Sequence, residues 1–154
     1  MAAPELFTER EQEFLQILLN EGVDFMVVGL AAAALQGVPA VTQDIHLWFA
    51  NREDPALRRA LMKAGVTYVP PTEQNPPLLV GARANLFDVV VHMHGLGSFS
   101  EEARTARVVK VGGIDLPVLS LERIIVSKEA TGRPKDQAIL PALRDALRVI
   151  EEEG

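Results

Sequence analysis

"DFMVVGLAAAALQG" (residues 24–37) joins an apolar run to an alanine-rich run through a single glycine. "DFMVVG" (24–29) reads as a buried strand. The run after Gly29 has the small residues of a compact helix, and Gly37 ends it. A strand that passes directly into a helix fits an α/β domain. Such a helix starts with unpaired backbone N–H groups, which suit an anion. Alternatively Gly29 serves only the tight turn. The pattern leaves both readings open.

The flanking sequence fits the same class. Thr8 and Glu11 form a capping box ahead of a helix over about 9–20, closed by Gly22. "DIHLWFA" (44–50) is a second strand, and Asp54–Pro55 starts a helix reaching about Ala64. "VTYV" (66–69) suits a short strand, and "PPTEQNPP" (70–77) is an irregular, mobile loop. "LLVGA" (78–82) and "NLFDVVVHM" (85–93) read as two strands of a hairpin. Ser100 is placed as the cap of a short helix through about Ala106. "RVVKVGGIDLPVL" (107–119) is a hairpin about Gly112–Gly113. Ser120 caps a helix containing Lys128, and a last helix follows "TGRPKD" (131–136), with a break or kink expected near Leu140 because Pro141 follows. The sum is one α/β domain spanning residues 1–154 with a mixed sheet.

Composition bounds the function. At 154 residues, 48% of them hydrophobic and 23% charged, the chain has ordinary globular usage. Lys and Arg number 15 against 21 Asp and Glu, a formal charge of −6. That balance disfavours an extended nucleic-acid groove, which needs a basic surface, but leaves room for a small anion held by local cations. No apolar run is long enough to span a membrane, and the N-terminus has no signal-peptide pattern. The absence of cysteine makes a cytoplasmic location the default.

Three segments carry candidate chemistry. In "VTQDIHLWF" (41–49), alternation puts Asp44 and His46 on one strand face. Two carboxylates at this spacing would suit Mg²⁺; an imidazole suits Mn²⁺ or Zn²⁺ better. In "FDVVVHMH" (87–94), Asp88 sits among apolar residues, where a carboxylate is expected to be buried and to need compensation by a metal or hydrogen bonds. On a regular strand Asp88 shares its face with His92 and His94. Asp44, His46, Asp88 and His92 are thus a candidate metal set, with His94 a solvated strand end. Lys128 and "GRPKD" (132–136) supply a compact cationic cluster, with Asp136 able to fix it.

Together, "VVGLAAAALQG", "VTQDIHLWF", "FDVVVHMHGLGSFSEEA" and "VKVGGIDLPVLSLERIIVSKEATGRPKDQAIL" resemble the nucleotidyltransferase superfamily, in its small bacterial forms related to AbiEii-type toxins. The resemblance implies a mixed sheet flanked by helices. It implies a glycine motif holding nucleotide phosphates, a D-x-D strand binding a divalent metal, a third acid on a neighbouring strand and a late lysine. Carried onto this chain, Asp44, Asp88 and Lys128 would be catalytic. Gly29, Leu30, Lys128, Arg133, Lys135 and Asp136 would face the nucleotide, and Mg²⁺ or Mn²⁺, or Zn²⁺ with His46, would be the cofactor. Three positions depart from the pattern: Leu30 for a small Gly or Ser, Ala40 for an arginine, and His46 for the second acid.

Three functions follow. The chain transfers a nucleoside monophosphate from an NTP to an RNA or protein hydroxyl, with reduced or altered metal dependence. Alternatively it is an inactive relative that binds a small protein partner of the toxin–antitoxin kind, its acidity suiting a basic surface. A third reading is a transition-metal site made by Asp44, His46, Asp88 and His92.

Overall fold

A computed structural model describes residues 7–40 and 42–153; the N-terminal residues weighed above for a signal lie partly outside them. The elements run α1 (Glu9–Asn20), β1 (Phe25–Val28), α2 (Gly29–Leu35), β2 (Ile45–Phe49), α3 (Pro55–Ala64), β3 (Thr67–Val69) and β4 (Leu78–Val80). After one 3₁₀ turn (Ala82–Ala84) come β5 (Phe87–Val90), α4 (Phe99–Ala103), β6 (Arg107–Val111), β7 (Ile114–Val118), α5 (Leu121–Thr131) and α6 (Pro134–Glu153). The strands form one sheet in the order β3-β4-β5-β2-β1-β7-β6. β2 lies parallel to β5 and β1 to β7, whereas the other pairings are antiparallel. This is the expected mixed sheet with flanking helices.

The two sheet faces differ because strand side chains alternate. Ile45, Leu47 and Phe49 point to one face with their β5 register partners Phe87 and Val89, and all are buried. α1 covers that face: the Phe14 ring packs 5.2 Å from the Phe87 ring, and α3 packs against α1. Thr8 donates its N–H and hydroxyl to the Glu11 carboxylate, so the expected capping box does start α1. His46 and Trp48 point to the opposite face, which α2, α4 and α5 cover only in part. There the Phe99 ring meets the Trp48 indole edge-on at 5.5 Å.

Gln36 binds the second layer together. Its side-chain amide donates to the carbonyls of Ala32 (3.0 Å) and Leu119 (2.8 Å), and its oxygen accepts from the Leu121 N–H at 3.0 Å. One residue past α2 thus fixes the start of α5, which carries Lys128. Ser120 caps α5 as expected, its hydroxyl accepting from Arg123.

Two local expectations are corrected. Ser98, not Ser100, caps α4: its hydroxyl accepts from the Glu101 N–H (3.3 Å), and the Glu101 carboxylate accepts from the Ser98 N–H (3.0 Å). Of the break or kink expected near Leu140, the break does not occur: α6 continues through Pro141. Pro141 has no N–H to donate to the helix, and Leu140 and Leu143 on either side are buried in the core.

Replacing Gln36 with alanine leaves the buried Leu119 carbonyl and Leu121 N–H without their partner. The expected loss is about 2 kcal/mol, read as a lower urea midpoint at unchanged m-value.

Candidate functional site

The site begins where β1 turns into α2. All four residues of β1 are buried, and Gly29 follows with φ +69°, a left-handed conformation open to glycine. A Cβ on Gly29 would lie 3.3 Å from His46 Nδ1. The left-handed turn favours glycine, and a Cβ here would crowd the imidazole. Val28, the residue before it, is the register partner of His46.

β2 and β5 bring the next two groups together. His46 and Asp88 are register partners on parallel strands, so their side chains leave the same face. His46 Nε2 stands 3.8 Å from Asp88 Oδ2, too long for a hydrogen bond but within ion-pair range. The side chains are 40% and 48% exposed. Asp88 is therefore not the buried acid expected from its apolar neighbours. Phe87 and Val89 point into the core, and Asp88 between them points out.

Two cavities meet at His46 and His92, which line both. A cleft of about 640 Å³ is lined by His46, Asp88 and His92 and by the Pro71–Pro77 segment. A smaller cavity of about 170 Å³ is lined by Gly29, His46, His92, His94, Lys128 and Arg133 among others. Sequence reasoning did not place the proline-rich loop or His94 at the site. The loop's composition signalled only irregular structure, and nothing local to it encodes folding over Asp88.

The cationic cluster is assembled around a buried acid. Asp136, 5% exposed, accepts from Lys128 Nζ (3.1 Å), Thr131 Oγ1 (2.5 Å) and Arg133 Nε (2.9 Å). Burial alone would raise this carboxyl, but the hydrogen bonds from Thr131, Lys128 and Arg133 and the charge of Lys128 outweigh it and hold it at about 2. Asp136 thus acts behind the cavity, aiming Lys128, which is 21% exposed, toward Gly29 and His46. The loop carrying His92 and His94 is tied down similarly. Buried Glu102 accepts from Arg123 at 2.7 and 3.1 Å and from the Gly97 N–H at 2.9 Å. Arg123 holds the Glu102 carboxyl below its ordinary range.

The remaining sequence candidates lie elsewhere. Asp44 precedes β2, is exposed, and lines neither cavity. Leu30 is half-buried against the core, and Lys135 is exposed outside both cavities. β5 ends at Val90, so His92 no longer follows the strand alternation that would align it with Asp88. The expected metal set of Asp44, His46, Asp88 and His92 does not assemble: among the described residues no three His, Asp or Glu side chains are placed to share an ion. One carboxylate beside one imidazole is also a poor donor set for Mg²⁺, which wants oxygens. The residues present do not fit a resident catalytic metal.

The Asp136 network makes a pH-dependent contribution. Because folding depresses this carboxyl from 3.8 to about 2, its stabilisation is complete above 3.8 and lost as pH falls toward 2. Wild type should lose about 2 kcal/mol more than Asp136→Asn across that window, measured by urea unfolding at each pH.

No protein-family model matches the sequence, and no curated relative matches it either. Solved structures do match. A candidate nucleotidyltransferase from Thermotoga maritima superposes with a TM-score of 0.65 at 22% identity, over 100% of this chain and 97% of its own. The lincosamide antibiotic adenylyltransferase LnuA, in a lincomycin-bound structure, superposes with a TM-score of 0.55 at 13% identity, over 90% of this chain and 98% of its own. The antibiotic-resistance factor ANT(2'')-Ia gives 0.54 at 15% identity, over 99% and 98%. At these identities the likeness is one of architecture: the chain carries the nucleotidyltransferase fold.

Proposed function

We propose that the protein, acting as a single domain, is a nucleotidyltransferase that takes an NTP as donor and a hydroxyl as acceptor. The observation that carries this reading is the convergence of Gly29, His46 and Lys128 on one cavity that opens, through His46 and His92, onto the cleft beside Asp88. The triphosphate lies along the Gly29 turn, its charge met by Lys128 and Arg133. The acceptor enters the larger cleft beneath the proline-rich loop. A volume of about 640 Å³ takes a single residue of RNA or protein, not a long stretch of either, in keeping with the acidic net charge.

In the reaction, the acceptor oxygen attacks the α-phosphorus. The new P–O bond forms as the bond from the α-phosphorus to the α–β bridging oxygen breaks. Pyrophosphate leaves, and the acceptor proton passes to the carboxylate of Asp88, which lines the cleft together with Glu73 of the proline-rich loop. Lys128 balances charge on the departing phosphates, with Asp136 holding it in place. Asp44, exposed ahead of β2, has no step in this scheme.

One observation favours a second reading, an inactive relative that binds a small protein partner. Val69, Leu78 and Val80 leave the sheet on the same face as Asp88 and are exposed, an apolar strip beside the cleft. Transfer by the purified chain would exclude it.

With radiolabelled NTPs and RNA or protein acceptors, wild type should form labelled product. Asp88→Asn should lower the rate about 100-fold or more, the ordinary contribution of a general base, while NTP affinity stays within about threefold. Equal rates for the two would remove Asp88 from the chemistry.

A further inference from the structure

We infer that this site holds its nucleotide without a divalent cation, with His46 and the Lys128–Arg133 pair occupying the electrostatic role a metal plays in a carboxylate-lined site. The inference rests on the nucleotide-binding reading above and concerns the make-up of that site.

The polar side chains that line the smaller cavity are imidazole, ammonium, guanidinium and hydroxyl groups, set among Val28, Val90, Met93 and Ile124. All three histidines of the chain, His46, His92 and His94, reach it, together with Lys128, Arg133 and the Ser127 hydroxyl, while the Thr131 hydroxyl is turned to Asp136. Among the described residues no Asp or Glu lines it. A divalent cation bridging phosphates to protein needs carboxylate oxygens on the protein side, and this wall offers none. A phosphate needs donors, and each imidazole supplies at least one N–H in any protonation state. Asp136 sits behind the wall, buried, and its single charge is set against the two charges of Lys128 and Arg133. The cluster thus faces the cavity with a net positive charge that requires no further ion.

His46 also closes the space where a metal would sit. Its ring lies between the Gly29 turn and Asp88, with Nδ1 toward the glycine and Nε2 toward the carboxylate. Asp88 stands beside an imidazole, 3.8 Å away, and Asp44 lies outside the cavity altogether. An ion placed between Gly29 and Asp88 must first displace the His46 ring.

The test is calorimetric titration of the wild-type chain with ATP, GTP, CTP and UTP, each in EDTA and each with added Mg²⁺ or Mn²⁺. At least one NTP is expected to bind in EDTA with an affinity within about threefold of its value with metal. Binding seen only when metal is added overturns the inference and leaves the nucleotide-binding reading intact. No binding under either condition overturns both. A second arm uses His46→Asp, which restores an acid beside Asp88 and is tolerated by a half-exposed position. Its affinity in EDTA should fall about tenfold or more, the worth of one hydrogen bond to a charged group, and recover with Mg²⁺ or Mn²⁺. Wild-type affinity of a folded His46→Asp protein in EDTA overturns the role assigned to His46. The wild-type titration decides the metal question even where that variant fails to melt cooperatively.

Discussion

The register of β2 against β5 is the constraint on which the site depends. Ile45 opposite Phe87 and Leu47 opposite Val89 place four buried side chains against α1, and strand alternation then sends His46 and Asp88 out together on the other face. A slip of one residue would drive a carboxylate and an imidazole under α1 while exposing aromatic and aliphatic groups. Hydrophobic burial on the back of the sheet therefore sets the chemistry on the front. The pairing of β1 with β2 extends this control to Gly29, because Val28 is locked opposite His46.

The parts legible in the sequence are those written in local pattern. Strand–glycine–helix at 25–35, the Gly112–Gly113 hairpin and the Ser120 cap each rest on residues adjacent in the chain. The apolar neighbours of Asp88 suggest burial on both sides, whereas Phe87 and Val89 alone face the core. Deciding between those cases requires knowing which face of the strand is covered. His92 was placed by extending the alternation past Val90, where the strand ends. The Lys128–Asp136 association was readable as a cationic cluster, yet its orientation toward Gly29 depends on Gln36 bridging α2 and α5 over 85 residues of separation. Contacts of that range leave no short-period signature.

The architecture and the site make different demands on sequence. At 22% identity the chain reproduces the nucleotidyltransferase fold over its whole length, because the fold asks for buried strands and a glycine turn, which many sequences satisfy. The site asks for particular donors. Here it offers imidazole, ammonium and guanidinium groups around one cavity, with Asp88 and Glu73 on the adjoining cleft and Asp136 hidden behind Lys128. Fold alone does not dictate which ligand such a cavity takes.

The two borders of the sheet are unequal in how readily they could recruit another chain. β3 offers only three residues before Pro70 and Pro71, neither of which has an N–H to give, so a foreign strand finds almost nothing to zip onto there. β6 is longer and leaves Val108 bare. Heat-driven fibre growth would therefore proceed from the β6 side, and a proline or an added charge at that border is where resistance to clumping can be gained without touching the cleft.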